Sequence, residues 1–149
     1  MIGRIVEQKE LLRAQESQQS EFVALYGRRR VGKTFLVNEF FNGRFAFRAT
    51  GIEEGTKREQ LELFREELRR QGLPKCPKLT TWIAAFSRLA DLLEMSAEKK
   101  KVVFLDELPW FDTSCAGFLR AFEAFWNGWA SLRRDILLVV CGSVSFIAR

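Results

Sequence analysis

The 149-residue chain is 47% hydrophobic and 29% charged, which is typical of one globular domain and excludes an intrinsically disordered protein. Its net charge of +5 favours anionic partners and allows nucleic acid, although no face of the protein is basic by sequence pattern. The chain has no histidine, which excludes Ser-His and Cys-His catalysis. Its three widely spaced cysteines indicate reduced thiols rather than a zinc site.

The first predicted elements are a helix and a strand. Residues Arg4 to Glu16 predict an amphipathic helix, and the N-terminus lacks the apolar region of a secretory signal peptide, which favours a cytoplasmic protein. The uninterrupted apolar run from Phe22 to Tyr26 predicts a strand that is buried on both faces.

A glycine loop and a helix follow this strand directly. The segment GRRRVGKT, residues 27–34, fits the pattern G-x-x-x-x-G-K-[ST] at every fixed position. From Gly32 onward no helix breaker occurs before Asn42-Gly43, which predicts a helix with a C-terminal stop. The order strand, glycine loop, helix is the context in which this pattern binds phosphate.

The chemistry of phosphate binding explains the residue types in the loop. Two glycines let backbone N–H groups converge on a polyphosphate, and the N-terminal end of the following helix attracts the same anion. Lys33 is expected to reach the β- and γ-phosphates of a nucleotide, and the Thr34 hydroxyl is expected to ligate Mg²⁺. The predicted nucleotide-binding segment comprises Gly27, Arg28, Arg29, Arg30, Val31, Gly32, Lys33, Thr34 and Phe35.

Two interpretations of the loop stay open at this point. A glycine turn that carries a surface lysine is the alternative to a phosphate site. The side chains of Arg28 to Arg30 are not required by the cradle, so they are either solvated charges or contacts to nucleic acid or a neighbouring subunit.

The middle of the chain predicts one strand and two helices. The strand spans Phe45 to Thr50. Thr56 and Glu59 form a capping-box pattern at the start of a helix that ends before Gly72, and Thr81 opens the next helix.

Two adjacent acids follow the next buried strand. The run 99–101 of three lysines predicts a solvated lead-in, and VVFLDELPW then places Asp106 and Glu107 at the strand's C-terminal end. An acid there can hold Mg²⁺ opposite Thr34, and a second acid beside it can polarise an attacking water. The alternative for adjacent acids after a strand is a helix N-cap or a turn.

The last elements are an aromatic helix and a fourth strand. Ser114 is expected to cap a helix that reaches about Arg133, with an aromatic stripe that packs in the core. The strand from Ile136 ends near Ser143, which could hydrogen-bond a water or the γ-phosphate, or could simply form a turn. The apolar stretch 136–148 is too short to span a bilayer, so we expect no membrane association. Four strands separated by helices predict an α/β fold with a mostly parallel sheet that binds ligands at the C-terminal ends of its strands.

Together these segments resemble a known family. The IGR at 2–4, EFVALYGRRRVGKTFLV, VVFLDELPWFDT, FWNGWAS and ILLVVCGSVSF are similar to prokaryotic AAA-superfamily ATPases close to the STAND branch of P-loop ATPases. By that resemblance the glycine loop is Walker A, Asp106 with Glu107 is Walker B, and Ser143 is at the sensor 1 position. Gly3 and Arg4 match the segment that borders the adenine and ribose.

The resemblance also implies an architecture. Family members have the sheet order 5-1-4-3-2, a helical lid and often a C-terminal DNA-associated domain. We expect residues 1–149 to form a partial AAA-like P-loop ATPase core that lacks strand five and the lid, with reduced turnover. Arg133 and Arg134 are candidates for an arginine finger, and the alternative is that they are surface charges.

The function expected on these grounds is Mg²⁺-dependent binding and hydrolysis of ATP that drives a conformational switch. The alternatives are a nucleotide-binding regulatory or interaction module with negligible turnover, and a P-loop phosphotransferase. A GTPase is disfavoured because neither N-K-x-D nor D-x-x-G occurs. The expected ligands are ATP and Mg²⁺. Two further possibilities stay open: a DNA or protein partner that binds through a C-terminal region that this chain lacks, and a homo-oligomer.

Overall fold

Helices and strands alternate along the chain around a single sheet. The structure is a computed structural model that describes residues 5–27, 32–113 and 117–143, with the backbone alone described at 143. The helices are α1 (Ile5–Glu16), α2 (Lys33–Phe40), α3 (Lys57–Gln71), α4 (Trp82–Glu94) and α5 (Phe118–Gly128). The strands are β1 (Glu21–Gly27), β2 (Phe47–Thr50), β3 (Lys101–Asp106) and β4 (Ile136–Ser143). Short 3-10 turns span Leu108–Phe111 and Ala130–Leu132.

The four strands form one parallel sheet in the order β1-β4-β3-β2. This is the order predicted for these four strands, and the α/β fold is confirmed. Because all strands run in the same direction, their last residues lie along one edge of the sheet, called here the C-terminal edge. Those residues are Gly27, Thr50, Asp106 and Ser143.

Helices cover both faces of the sheet. Val103 and Leu105 of β3 pack with α3, α4 and α5 in an aromatic-rich core, while the alternate residues Val102 and Phe104 pack with α1 and α2. This alternation follows from the two-residue period of a strand. The result is a three-layer arrangement in which the central strands are buried on both sides.

The prediction that β1 is buried on both faces is wrong. Val23 and Leu25 are buried among residues of α1 and α2, but Phe22 and Tyr26 on the other face are 37% and 43% exposed. β1 lies at the edge of the sheet, and on its exposed face Phe22 makes an edge-to-face contact with Trp126 of α5. An apolar run predicts a strand but does not say whether the strand is central or at an edge.

The caps predicted for the two middle helices are confirmed. The Thr56 hydroxyl accepts a hydrogen bond from the Glu59 N–H at 3.1 Å, and the Glu59 carboxylate accepts one from the Thr56 N–H at 2.8 Å. Gly72 follows α3 with a φ of 150°, and Thr81 caps α4 by accepting from the Ala84 N–H.

The last helix is shorter than predicted. α5 begins after Gly117, which has a φ of 72°, and ends at Gly128, so the predicted helix from Ser114 to Arg133 is wrong at both ends. A residue in the left-handed region cannot continue a helix toward the N-terminus. Ser114 itself lies outside the described residues. The aromatic stripe does pack in the core, and its buried members are Phe118, Phe122 and Phe125.

The lysine run before β3 is not a solvated lead-in, apart from Lys99, which is exposed. The Lys100 ammonium donates hydrogen bonds to the carbonyls of Ser17, Gln19 and Arg134 at 2.9, 2.8 and 3.2 Å. It therefore ties the loop before β1 to the loop before β4, which a run of charges in the sequence does not reveal.

Lys101 belongs to a charge cluster at the start of β3 and β4. Its side chain is 10% exposed, and its ammonium lies 2.9 Å from a carboxylate oxygen of Asp135. Arg133 donates two further bonds to that carboxylate, each 2.9 Å long, and its guanidinium lies 4.9 Å from the Trp129 ring centroid. The hydrogen bonds from Arg133, together with Lys101, hold the pKa of Asp135 well below its usual range.

Two predictions from composition concern the cysteines and the membrane. Cys76 and Cys141 are buried in the cores on opposite faces of the sheet, and Cys115 lies outside the described residues. Among the residues that the structure describes, no helix has the length and apolar character needed to cross a membrane.

Candidate functional site

The predicted phosphate-binding and acidic residues meet at the C-terminal edge of the sheet. Gly27 is the last residue of β1, Lys33 is the first of α2, and Asp106 is the last of β3. They are brought together because β1 and β3 are parallel and only β4 lies between them. The backbone of Ser143 pairs with Gly27, while the predicted role of the Ser143 side chain lies outside what the structure describes.

Gly32 shapes the start of α2. Its φ is 83° and its ψ is 16°, a left-handed conformation that glycine adopts without steric cost. The Gly32 carbonyl accepts the first helical hydrogen bond, from the Leu36 N–H at 2.9 Å. The first N–H groups of a helix have no partner within it, so the start of α2 offers backbone donors to an anion at this edge.

Lys33 lies across the base of the glycine loop. The residue is 7% exposed, and its ammonium donates a hydrogen bond to the Gly27 carbonyl at 3.2 Å. The contact joins the last residue of β1 to the first residue of α2, on either side of the loop. A charge held there is suited to a phosphate, because a cation and a phosphate oxygen form a charge-assisted hydrogen bond.

Thr34 and Asp106 are in direct contact although 72 residues separate them in the sequence. The Thr34 hydroxyl donates a hydrogen bond of 2.7 Å to one carboxylate oxygen of Asp106. The other oxygen accepts from the Glu107 N–H at 2.9 Å. Asp106 is 4% exposed, so these bonds compensate the cost of burying its carboxylate.

The donor set fits a hard cation such as Mg²⁺. A hydroxyl and a carboxylate are oxygen ligands, and proteins typically hold Mg²⁺ through one or two side chains plus phosphates and water. No group of three or more His, Cys, Asp or Glu side chains that could hold a metal occurs among the described residues. The protein would thus supply two ligands, Thr34 and Asp106, and a polyphosphate would supply others.

Glu107 has a backbone conformation that is unusual for a residue other than glycine. Its φ of 53° and ψ of 44° lie in the left-handed region, which costs a non-glycine residue roughly 1–2 kcal/mol. Glu107 precedes the 3-10 turn, and its carbonyl accepts a hydrogen bond of 3.0 Å from the Trp110 N–H. Such conformations persist where the surrounding structure holds them, and they concentrate at functional sites.

The remaining predicted residues are exposed or lie outside the described residues. Phe35 is 56% exposed and, with Gln8 and Glu39, lines a cavity of about 260 Å³ between α1 and α2, so its side chain is not part of the Lys33–Asp106 cluster. The predicted residues that the structure does not describe are Gly3, Arg4, Arg28, Arg29, Arg30 and Val31.

Two polar residues behind the site belong to no motif in the sequence. The Asn38 side chain donates to the Thr34 carbonyl at 3.0 Å and accepts from the Arg48 guanidinium at 2.9 Å. That guanidinium lies 5.7 Å from the centroid of the Phe104 ring, a cation–π distance. Asn38 follows Thr34 by four residues on one helix, and this spacing predicts that the two residues are neighbours. No pattern in the sequence predicts that Arg48 lies beside them.

The two arginine-finger candidates lie at the other end of the sheet from Lys33, Thr34 and Asp106. Arg133 precedes β4, at the opposite end from the C-terminal edge, and is held by Asp135 and Trp129. It therefore does not reach the site of its own chain. Arg134 is exposed beside it.

Comparisons with known proteins support the fold. No protein-family model matches the chain, and no curated protein matches it. Among solved structures, a Walker-type ATPase of Pyrococcus abyssi is similar with a TM-score of 0.62 at 20% sequence identity. The match covers 93% of this chain and 44% of that chain, so this chain spans less than half the length of that protein. The likeness, with the parallel sheet flanked by helices, shows that the chain has the fold of a P-loop ATPase.

Proposed function

We propose that this chain binds Mg-ATP at the C-terminal edge of its sheet and hydrolyses it, and that hydrolysis drives a conformational switch. The observation that carries the proposal is the 2.7 Å contact between Asp106 and the hydroxyl of Thr34, which is next in sequence to the buried Lys33, whose ammonium lies on the Gly27 carbonyl. A fold alone does not imply a function, but this set of side chains matches the requirements of a phosphate-bound cation.

The residues divide the work of binding and hydrolysis. The N-terminal backbone of α2 and Lys33 bind the phosphates. Thr34 and Asp106 would hold Mg²⁺, and the bound ion would neutralise charge on the phosphate oxygens. Glu107, next to Asp106, orients a water molecule and accepts its proton. The name of the Pyrococcus abyssi structure, a Walker-type ATPase, supports ATP as the nucleotide.

The binding step is tested by Lys33→Ala. Removal of the charge is expected to weaken Mg-ATP binding at least about tenfold, since a charge-assisted contact to phosphate is worth upward of roughly 1.4 kcal/mol. Calorimetric titration measures the affinity directly. Lys99→Ala is the matched control, because Lys99 is exposed at the other end of the sheet and its loss should leave the affinity unchanged. Equal affinity for Mg-ATP in the wild type and in Lys33→Ala would contradict the assignment of the glycine loop as the nucleotide-binding site.

The reaction is tested by measuring both ADP formation and the release of inorganic phosphate from ATP, with and without a small acceptor. Inorganic phosphate that is released without an added acceptor supports hydrolysis. ADP that forms only with a small acceptor, while the phosphoryl group stays on that acceptor, would identify a phosphotransferase. Tight binding without ADP formation under either condition would identify a nucleotide-binding module instead.

A further inference from the structure

Two glycines lie against the turn that carries Glu107. Gly51 follows β2 and Gly142 lies near the end of β4, and these are the two strands that flank β3 in the sheet. The turn from Glu107 to Trp110 leaves β3 between them. Neither glycine belongs to the predicted nucleotide-binding segment or to the predicted acidic pair.

Gly51 touches the backbone of Glu107. A methyl group built on Gly51 would lie 2.5 Å from the Glu107 carbonyl oxygen and 2.9 Å from Cβ of Trp110. Both atoms belong to or adjoin the main chain, so they cannot move aside as the end of a flexible side chain can. The Gly51 N–H also donates to the Asp106 carbonyl at 3.0 Å, which fixes Gly51 against the end of β3.

Gly142 touches the other side of the turn. Its added methyl group would lie 3.0 Å from Cδ and 3.2 Å from Cγ of Pro109, and 3.3 Å from a ring carbon of Tyr26. Tyr26 pairs with Gly142 in the sheet and immediately precedes Gly27 of the glycine loop. Gly142 is therefore packed between the strand that carries the loop and the turn that carries Glu107.

The far end of the turn is anchored in the core. Phe111 is 1% exposed and stacks on Phe118 with ring centroids 5.4 Å apart. Asp106 anchors the near end through β3 and its bond to Thr34. With both ends fixed and a glycine on each side, the turn has little room to relax.

We propose that Gly51 and Gly142 are positioning residues that hold Glu107 in its left-handed conformation and so aim its carboxylate at the phosphate-binding edge. The inference rests on the proposed role of Glu107 as the base. Any larger residue at Gly51 pushes on the Glu107 carbonyl, and any larger residue at Gly142 pushes on the same turn through Pro109.

The first experiment measures Gly51→Ala in the nucleotide-free chain by amide hydrogen exchange. The Trp110 N–H is bonded to the Glu107 carbonyl, so displacement of that carbonyl should speed exchange of the Trp110 amide about tenfold or more. Gly128→Ala is the matched control, because a methyl group there meets nothing within 4 Å, and its Trp110 amide should exchange as in the wild type. Unchanged protection in Gly51→Ala would overturn the inference, whether or not the chain hydrolyses ATP.

The second experiment separates positioning from general damage through kinetics. Gly51→Ala should lower kcat about tenfold or more, because displacement of a general base by up to about 1 Å slows proton transfer strongly. The affinity for Mg-ATP should stay within roughly threefold of the wild-type value. In the Glu107→Gln background the same change should cost nothing further, since the residue it acts through is already lost. If Gly51→Ala lowered kcat equally in the wild type and in the Glu107→Gln variant, the inference would be overturned. If the wild type released no phosphate, the proposed hydrolysis would be refuted, and the positioning role would then be decided by the hydrogen-exchange experiment.

A third variant guards against misfolding of Gly51→Ala. Gly142→Ala makes milder contacts and should speed Trp110 exchange less. Adding Pro109→Ala removes Cγ and Cδ, the two nearest atoms, and should restore protection to the level of Pro109→Ala alone. Failure of this rescue, with exchange still fast in the double variant, would contradict contact through Pro109 and overturn the role of Gly142.

Discussion

Glu107 is the residue on which the proposed hydrolysis depends. Its neighbour Asp106 is buried and bonded on both carboxylate oxygens, whereas Glu107 is half-buried and stands in a strained conformation at the end of β3. Two adjacent acids thus have different surroundings, which suits one to hold a cation and the other to meet a water molecule.

Glu107→Gln is expected to bind Mg-ATP as the wild type does and to lose hydrolysis by a factor on the order of 10² or more. The amide keeps the shape and hydrogen bonding of the side chain but removes the base. Phosphate release and calorimetric titration on the same preparation measure the two effects. Glu123→Gln on the exposed face of α5 is the matched control, and unchanged turnover in Glu107→Gln would assign the base to another residue.

The sequence reveals some of these residues better than others. Lys33, Thr34 and Asp106 follow from short patterns, because each is fixed by its distance from a glycine or from the end of a strand. Arg48 and Gly51 do not, because their roles depend on contacts between elements that are distant in the chain. A polar residue in a buried strand, or a glycine just after one, also occurs at bulges, bends and sheet edges that have no part in a site.

At the scale of elements, local signals were reliable where capping chemistry was present. The capping box at Thr56 and the glycine at 72 set the ends of α3 as predicted. The ends of α5 were missed because its start depends on the left-handed Gly117 rather than on a capping side chain. The burial of Lys101 was missed because its partner Asp135 is brought to it only by the pairing of β3 with β4.

Asp135→Asn is expected to destabilise the protein by about 2 kcal/mol, since it leaves the largely buried Lys101 and the partly exposed Arg133 without their shared carboxylate. Urea unfolding at neutral pH measures the change in the free energy of unfolding. Asp91→Asn is the matched control: its pair with Arg88 is exposed at 3.8 Å, and a change within about 0.5 kcal/mol is expected.

The effect of Asp135→Asn should also depend on pH. Because Arg133 and Lys101 lower the pKa of folded Asp135, its stabilisation is complete above the unfolded-state pKa of about 4 and is lost as the pH falls through the lower folded-state pKa. The difference between wild type and variant should therefore be constant from pH 7 to about pH 4 and shrink below it. A difference that grows as the pH falls would contradict the assigned ion pairs.

At the scale of the whole molecule, the two edges of the sheet are not alike. On β2, the Gln71 side chain accepts from the Arg48 N–H at 2.9 Å and donates to the Arg48 carbonyl at 2.8 Å, so a side chain from α3 occupies that edge. On the other side, β1 pairs with β4, and no further strand pairs with it among the residues described. An edge strand with apolar residues and no lysine or proline is prone to pair with another strand.

We therefore expect the 149-residue chain to self-associate through β1. A two-fold antiparallel pairing centred on Ala24 would place Phe22 of one copy opposite Tyr26 of the other, an aromatic pair that favours such a contact. Light scattering over a concentration series should show a mean mass that rises toward about twice that of the monomer. Ala24→Lys puts a charge in the middle of the exposed face of this edge strand and should keep the chain monomeric. Leu132→Lys changes another exposed apolar residue, away from β1, and should not prevent association. A wild type that stays monomeric at every concentration, or a Leu132→Lys variant that abolishes association as fully as Ala24→Lys, would show that the outer edge of β1 is not the contact surface.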